Sequence, residues 1–319
     1  MGSIMYDKIA IVRKIDDGMA PPVNELAQVV SRYGKLNNIP VFDHHMGTNL
    51  PNFAMDVLFV SLGGDGTMLY TANTSMQYEN TGIIGFNLGN LGFLTEEIDK
   101  PVNHEVFQRV PNPVVSKAYI EDAIFDFLDA IFDGSTADVK PDTRMMLEVS
   151  VHRDGMELFN ANGGSRNFYA MNEVTVYTSL RNFITTTVAV NSMPVGRFGG
   201  NGVTVTTATG STALGLSAGG AIISPNTNVM QIVPLLPHKV ATQPVITTGR
   251  DEIIIRAETS SRSKQIYALT DSRQVTRLNY DNNEQFLDVK VTRAKKDVTI
   301  WRPATWNFFD VLSQKMGWN

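Results

Sequence analysis

The chain has 319 residues, of which 43% are hydrophobic and 18% charged, with a formal net charge of -5 and no cysteine. This length suits two ordinary domains, and the acidic balance gives no electrostatic reason to expect nucleic acid or an anionic membrane as a partner. The lack of cysteine excludes disulfides, thiolate zinc sites and cysteine nucleophiles. No apolar run approaches ~18 residues, so we expect a cytoplasmic protein without a membrane span.

Short apolar runs alternate with helical patterns over the first hundred residues. The runs predict strands at residues 8–12, 39–42, 57–62 and 82–87, and the helical patterns predict helices that begin at Pro21 and near residue 67. This alternation is typical of a parallel, Rossmann-like α/β sheet, whose strands are apolar throughout because both faces are buried. Pro40 favours an edge position for the second strand.

The third predicted strand runs into a glycine-rich turn with the sequence Gly63-Gly64-Asp65-Gly66-Thr67. Glycines let the backbone turn tightly and approach a ligand closely, and the N–H groups at the following helix start can bind phosphate oxygens. Asp65 is expected at the carboxyl edge of the sheet, where open α/β sheets bind ligands. The alternative is a purely structural turn with an aspartate cap.

A second glycine-bearing loop follows the next predicted strand and includes Asn87, Gly89 and Phe93. The carboxyl ends of parallel strands meet at one edge of a sheet, so both loops are expected to face the same crevice. Two such loops favour a nucleotide site more strongly than either loop alone, although two tight turns would give the same pattern.

Beyond residue 100 the pattern changes. An amphipathic helix is predicted over residues 120–131, and β-branched runs with turn signals dominate from residue 144 onward. Asp154-Gly155 is a hairpin signal. Strands are predicted at residues 145–152, 156–161, 168–177, 182–190, 194–198, 202–207, 252–257, 265–270, 285–292 and 298–301.

We therefore predict an α/β domain followed by a mostly antiparallel β-sandwich. The expected boundaries are residues 1–103 plus 303–319 for the α/β domain and 104–302 for the β-rich domain. The segment 307–316 is predicted to form a helix that folds back onto the first domain.

Two features interrupt the β-rich pattern. Asn172-Glu173 lies inside an otherwise apolar predicted strand, where a buried amide and carboxylate are costly unless they are bonded. Thr209-Gly210-Ser211-Thr212 is predicted to open a small-residue helix, whose hydroxyls and free amides suit an anion or a ribose. Polar residues at a strand end and a tightly packed capped helix are the alternative interpretations.

Taken together, these motifs are similar to those of the NAD kinase family in order and spacing over nearly the whole chain. The shared segments are Gly63–Thr67, Asn87–Thr95, Asn172-Glu173, Thr209–Ala213, Ser217–Gly220 and Pro237-His238. The resemblance implies phosphoryl transfer from ATP, or from polyphosphate, to the 2′-hydroxyl of the adenosine ribose of NAD. It also implies Mg2+ carried with ATP, and a homodimer or homotetramer.

The resemblance assigns a role to each candidate residue. Asp65 is the catalytic residue, which accepts or aligns the ribose hydroxyl proton. The NAD- and ATP-binding positions are Gly63, Gly64, Gly66, Thr67, Asn87, Gly89, Phe93, Asn172, Glu173, Asn201, Thr209, Thr212, Ala213, Leu214, Ser217 and His238.

Four positions depart from the family pattern: Asn201 and Ser272 replace aspartate and glycine, and Ala208 and Leu214 replace proline and tyrosine. The departures leave Asp65 unchanged but alter the expected dinucleotide pocket. Two other functions therefore remain open. One is a catalytically weak homologue that senses NAD or NADP, and the other is a kinase of the same superfamily that acts on another nucleotide.

Overall fold

The computed structural model describes residues 6–14, 21–48, 56–87, 92–97, 117–158, 168–179, 182–239, 242–258, 265–279 and 286–318. The chain divides into two compact units. The first contains Met1–Thr143 and Val298–Asn319, and the second contains Arg144–Asp297. Within the described residues, no helix is long and apolar enough to cross a membrane.

Helices alternate with strands in the first part of the chain, whereas strands dominate the middle. The first part contains β1 (Lys8–Arg13), α1 (Pro21–Leu36), β2 (Val41–His45), β3 (Val57–Leu62), α2 (Asp65–Ser75), β4 (Thr81–Asn87), β5 (Glu96–Glu97), α3 (Lys117–Phe132) and β6 (Val139–Arg144). The middle part contains β7 (Leu147–Arg153), β8 (Met156–Glu157), β9 (Phe168–Ala170), β10 (Glu173–Tyr177), β11 (Ile184–Val190), β12 (Met193–Gly200), β13 (Gly202–Thr207), a 3-10 turn (Thr209–Thr212), α4 (Leu214–Ser217), β14 (Val229–Leu235), β15 (Val245–Thr248), β16 (Ile253–Glu258), β17 (Gln265–Thr270), β18 (Arg273–Asn279) and β19 (Phe286–Arg293). The chain then forms β20 (Val298–Pro303) and α5 (Phe308–Met316).

The first unit is built on a sheet with the strand order β2-β1-β3-β4-β20-β6, in which β1 to β4 are parallel. Every residue of β3 is buried, because this apolar strand lies inside the sheet and is covered on both faces. β2 lies at the sheet edge, as predicted from Pro40. The parallel α/β fold predicted from the apolar runs is confirmed.

α3 and all but the last residue of β6 belong to the first unit, whereas the predicted boundary at residue 103 placed them in the second. α3 packs on α1, where Tyr33 donates a hydrogen bond to Asp129 at 2.7 Å and Arg32 pairs with Glu121. β6 extends the sheet beside β20. The division of the chain therefore falls between Thr143 and Arg144 and not at the composition change near residue 100.

The second unit contains two antiparallel sheets, with the orders β15-β14-β13-β10-β17-β18 and β12-β11-β16-β19-β7-β8. Buried residues from both sheets form one core, so the predicted β-sandwich is confirmed. β7 and β8 are joined at Asp154 and Gly155, both with positive φ (49° and 80°), which is the hairpin turn that this dipeptide predicts.

Two predicted elements of the second unit are divided in the structure. The strand predicted over residues 168–177 stops after Ala170 and resumes at Glu173. The helix predicted from Thr209 consists of a 3-10 turn and a four-residue α-helix, separated by Ala213 at φ -103°, ψ -125°. Both interruptions fall on candidate site residues.

Candidate active site

The glycine-rich turn joins β3 to α2 at the carboxyl edge of the first unit's sheet. Gly63 has φ +146°, a backbone conformation that residues with a side chain rarely adopt. Its N–H donates to the Phe86 carbonyl at 2.9 Å. A Cβ atom on Gly63 would lie 2.5 Å from Thr67 Oγ1, whereas one on Gly64 or Gly66 would meet no atom of the described residues within 4 Å. The turn is therefore packed on the Gly63 side and open beside Gly64 and Gly66.

Asp65 is the first residue of α2, and its carboxylate is held by the loop that precedes β5. Oδ2 accepts a hydrogen bond from Phe93 N at 3.0 Å, and Oδ1 accepts one from Leu94 N at 3.1 Å. The hydroxyl of Thr95 lies 3.5 Å from Oδ1. Since each carboxylate oxygen has two lone pairs, the described hydrogen bonds leave Oδ2 with an acceptor position for a ligand.

The second glycine-bearing loop lies partly outside the described residues, and Gly89 falls in that part. Asn87 ends β4, which is the neighbour of β3, so the two loops do meet at one sheet edge. The Phe93 ring lies 6.4 Å from the Phe308 ring and 5.2 Å from Lys315 Nζ, both on α5. The backbone of Phe93 therefore holds Asp65 while its side chain packs on the terminal helix.

In the second unit, Asn172 and Glu173 are organised by Asp271, which lies in the turn between β17 and β18. Asp271 Oδ2 accepts from Met171 N at 2.9 Å, and its Oδ1 accepts from Asn172 N at 2.8 Å and Glu173 N at 3.2 Å. These three bonds take the place of ladder pairing and explain why the predicted strand is interrupted. Neither Asn172 Oδ1 nor Glu173 Oε2 has a hydrogen-bond partner among the described residues, although both atoms are buried.

Burial and the neighbouring Asp271 raise the pKa of Glu173 to about 8. Burial also raises the pKa of Asp271, and the three backbone N–H donors and Arg273 oppose that shift. At neutral pH the Glu173 side chain is therefore mainly a neutral carboxylic acid, which can both donate and accept a hydrogen bond.

The segment that follows β13 packs directly on the turn formed by Asn172 and Glu173. Thr207 N donates to the Asn172 carbonyl at 2.9 Å, and a Cβ atom on Gly210 would lie 2.1 Å from that carbonyl oxygen. Thr209 accepts a hydrogen bond from the buried Arg144 at 3.3 Å. Beyond Thr212, Ala213 is half-buried and Leu214 and Ser217 are exposed, whereas Gly215 between them is buried. The structure thus packs the start of this segment, up to Gly210, on the backbone of Asn172.

Asn201 and His238 lie at the opposite end of β13. Glu173 pairs with Thr206 near the last residue of the strand, whereas Asn201 precedes its first residue, about 17 Å away at about 3.3 Å per residue. Asn201 Nδ2 donates to the carbonyls of Ser179 at 3.0 Å and Asn182 at 3.1 Å. The exposed ring of His238 packs on Phe183, with the ring centroids 4.7 Å apart.

The described residues contain no group of three or more histidine, aspartate or glutamate side chains placed to hold a metal ion. Asp65 is the carboxylate that the structure places beside the glycine-rich turn. The first unit thus presents backbone amides and a tethered carboxylate, and the second presents buried amide and carboxyl groups.

Comparison with known proteins gives the family. Residues 19–112 match the family described as ATP-NAD kinase N-terminal domain, and residues 171–300 match ATP-NAD kinase C-terminal domain. An NAD kinase of Sulfurimonas denitrificans is 31% identical over 261 residues, which cover 81% of this chain and 76% of that protein. The chain belongs to the NAD kinase family.

Solved structures of other NAD kinase family members share the fold. A yeast NADH kinase in complex with NADH aligns with a TM-score of 0.73 at 17% identity, covering 98% of this chain and 88% of that one. An NAD kinase from Archaeoglobus fulgidus in complex with ATP aligns with a TM-score of 0.61 at 19% identity, covering 97% of both chains. At these identities the likeness establishes the two-domain architecture.

Asp271 has no role among the predicted site residues, although an Asp-Gly element of the family pattern falls on Asp271-Ser272. It precedes Ser272, which departs from the family pattern, and its carboxylate holds the backbone of the Asn172-Glu173 turn. The available signal is a charged residue next to a serine between two apolar strands, which usually indicates an exposed turn. Its partners are about a hundred residues away in the chain, so spacing alone does not reveal them.

Proposed function

We propose that this protein is an NAD kinase that transfers a phosphoryl group from ATP to the 2′-hydroxyl of the adenosine ribose of NAD, giving NADP. The observation that carries the proposal is the tethered carboxylate of Asp65 beside the open Gly64–Gly66 face of the turn. A carboxylate acceptor next to the amides at a helix start is what phosphoryl transfer to a hydroxyl needs. Family membership gives the acceptor and the donor.

The chemical role proposed for Asp65 follows from its free lone pair. The ribose 2′-oxygen attacks the terminal phosphorus of ATP, the bond from that phosphorus to the bridging oxygen breaks, and ADP leaves with the electron pair. The hydroxyl proton passes to the Asp65 carboxylate. Because the transition state of phosphoryl transfer is loose, orientation of the hydroxyl matters at least as much as early removal of its proton.

The phosphate-binding role is proposed for the amides at the start of α2. The first N–H groups of a helix have no intrahelical acceptor and carry the positive end of the helix dipole. The open space beside Gly64 and Gly66 leaves room for phosphate oxygens. Mg2+ enters this proposal as part of the MgATP substrate, and polyphosphate is a second candidate donor.

The second unit is proposed to bind the adenosine part of NAD. Asn172 Oδ1 and Glu173 Oε2 are buried polar atoms without described partners, and such atoms in a native protein call for a ligand or water. The neutral carboxylic acid of Glu173 suits a polar, uncharged base or ribose edge better than a phosphate. Thr209, Thr212, Ala213, Leu214 and Ser217 are proposed to line the same pocket.

An assay of NADP formation from MgATP and NAD tests the proposal, with Asp65→Asn as the diagnostic variant. We expect the parent to form NADP and the variant to lose at least ~100-fold in kcat. Asp56→Asn is the matched control, because Asp56 precedes the amino end of β3 whereas Asp65 follows its carboxyl end. A folded parent that forms no NADP would overturn the proposal.

The same preparation separates the other functions. NAD binding without NADP formation would indicate a sensor, and phosphorylation of another adenine nucleotide in preference to NAD would indicate a different acceptor. Parallel reactions with NADH and with polyphosphate determine the preferred acceptor and donor. The acceptor is a specific question for this chain because Leu214, which replaces a tyrosine of the family, is exposed.

We further propose that the protein assembles as a homodimer or homotetramer in the cytoplasm. The support for assembly is that both sandwich sheets end in edge strands with exposed apolar side chains, with Met193 and Val195 on β12 and Val245 and Ile246 on β15. Unpaired apolar edges favour association with another chain. Light scattering on the parent and on Val195→Lys tests the assembly, and cell fractionation tests the location.

A further inference from the structure

Arg302 is a fully buried cation in the first unit, on the terminal strand β20. Its side chain has 0% exposure and is among the largest of the completely buried side chains. Nε donates to Asp142 at 3.2 Å, Nη1 donates to Glu96 at 2.7 Å, and the guanidinium lies 4.5 Å from the centroid of the Trp306 ring. Two carboxylates and an aromatic face thus stabilise a charge that would otherwise be costly to bury.

The rest of the guanidinium contacts the loop that holds Asp65. Nη2 donates to the Phe93 carbonyl at 3.1 Å, and Nη1 donates to the Leu94 carbonyl at 3.1 Å. Phe93 C=O and Leu94 N–H belong to one peptide unit, and that N–H donates to Asp65 Oδ1 at 3.1 Å. A single peptide group therefore connects the arginine to the carboxylate.

We propose that Arg302 is a positioning residue for phosphoryl transfer, which fixes the Asp65 carboxylate through the Phe93–Leu94 peptide. A cation that donates to the carbonyl of a peptide polarises it and strengthens hydrogen-bond donation by its N–H group. Arg302 also binds the Leu94 carbonyl, so the peptide groups on both sides of Leu94 are fixed and the Leu94 N–H is held toward Asp65. This inference rests on the proposed function in one respect, because that function gives Asp65 its catalytic role.

The geometry needs arginine and not merely a positive charge. The planar guanidinium reaches two carbonyls and two carboxylates from fixed directions, whereas the single ammonium of a lysine cannot reproduce that fork. Arg302→Lys therefore keeps the charge opposite Asp142 and Glu96 but loosens the loop. Ile300→Ala is the matched control, because Ile300 is fully buried on the same strand and its apolar side chain makes no hydrogen bonds.

Hydrogen–deuterium exchange of the loop tests the positioning independently of activity. We expect the amides of Phe93 and Leu94 to exchange at least ~10-fold faster in Arg302→Lys than in the parent, while the amides of β3 keep their protection. In Ile300→Ala any increase should be no larger for these two amides than for the rest of the unit. Unchanged exchange of the loop amides in a folded Arg302→Lys protein would overturn the inference.

A double-mutant cycle tests the link to catalysis. We expect Arg302→Lys to lower kcat by about 10- to 100-fold with less than ~3-fold change in either KM, as for a misplaced catalytic group. In the Asp65→Asn background the same substitution should change kcat by less than ~2-fold, because the group that it positions is gone. Equal losses in both backgrounds would overturn the inference.

If the parent forms no NADP, the proposed function fails, and the exchange experiment still decides the role of Arg302.

Discussion

Gly92 lies against Asp65 so closely that a Cβ atom on the glycine would be 2.3 Å from Oδ1 of the carboxylate. The same atom would be 2.3 Å from the hydroxyl oxygen of Thr95. We expect Gly92→Ala to push the Asp65 carboxylate away from the loop amides and to lower kcat by about 10- to 100-fold, since displacements near 1 Å cost rates of this size. Steady-state NADP formation measures the effect.

Gly196→Ala is the control for this substitution. Gly196 lies on β12 in the second unit, where the nearest contact of an added Cβ atom is the end of the Phe198 ring at 3.3 Å. The control should keep parental kcat. Full activity of a folded Gly92→Ala protein would show that the observed position of Asp65 is not needed for turnover.

Gly66 tests the phosphate-binding role of the turn, because an added Cβ atom there meets no atom within 4 Å in the part of the chain that the structure describes. Gly66 is the second residue of α2, so alanine there should leave stability unchanged or raise it by about 0.4–1 kcal/mol. A methyl group beside the amides would occupy the space proposed for phosphate oxygens, and we expect the KM for ATP to rise at least ~10-fold. Thermal unfolding and steady-state kinetics measure the two effects.

The KM for NAD serves as the internal control for Gly66→Ala, since the dinucleotide is assigned to other residues. It should change by less than ~3-fold. An unchanged KM for ATP in the variant would argue that the phosphates do not approach this face of the turn.

Local patterns predict the parts of this protein that depend on neighbouring residues. The Gly63 turn and the Asp154-Gly155 hairpin follow from backbone conformations that few residues adopt. The contacts of Arg302 with Phe93 and of Asp271 with Asn172 join residues 209 and 99 positions apart, and nothing in their local sequence indicates the partner. The sequence therefore predicts which segments form the candidate site but not the groups that hold them.

The resemblance to the family also places Asn201 at a position where aspartate is usual, and the structure gives that asparagine a local task. Its amide donates to the carbonyls of Ser179 and Asn182, and an ionised carboxylate has no proton to donate there. We expect Asn201→Asp to lower the free energy of unfolding by about 1–3 kcal/mol. Chemical denaturation measures the loss, and Asn201→Ala, which adds no charge opposite the carbonyls, should cost less. Parental stability of the aspartate variant would contradict this account of Asn201.

Glu173 makes the stability of the second unit depend on pH. Its pKa is raised from 4.5 to about 8 in the folded protein, so between these values the folded state holds a proton that the unfolded state releases. Stability should therefore fall as the pH rises from about 5 to 8, because the unfolded state is increasingly favoured by ionising a carboxyl that stays protonated in the folded state. Glu173→Gln removes that ionisation and should stabilise the protein at pH 8 by a few kcal/mol, with little gain at pH 5.

Thermal midpoints measured from pH 5 to 9 test this, with Glu157→Gln on β8 as a control that should follow the parent. Parallel pH curves for the parent and Glu173→Gln would show that Glu173 is ionised in the folded protein at neutral pH.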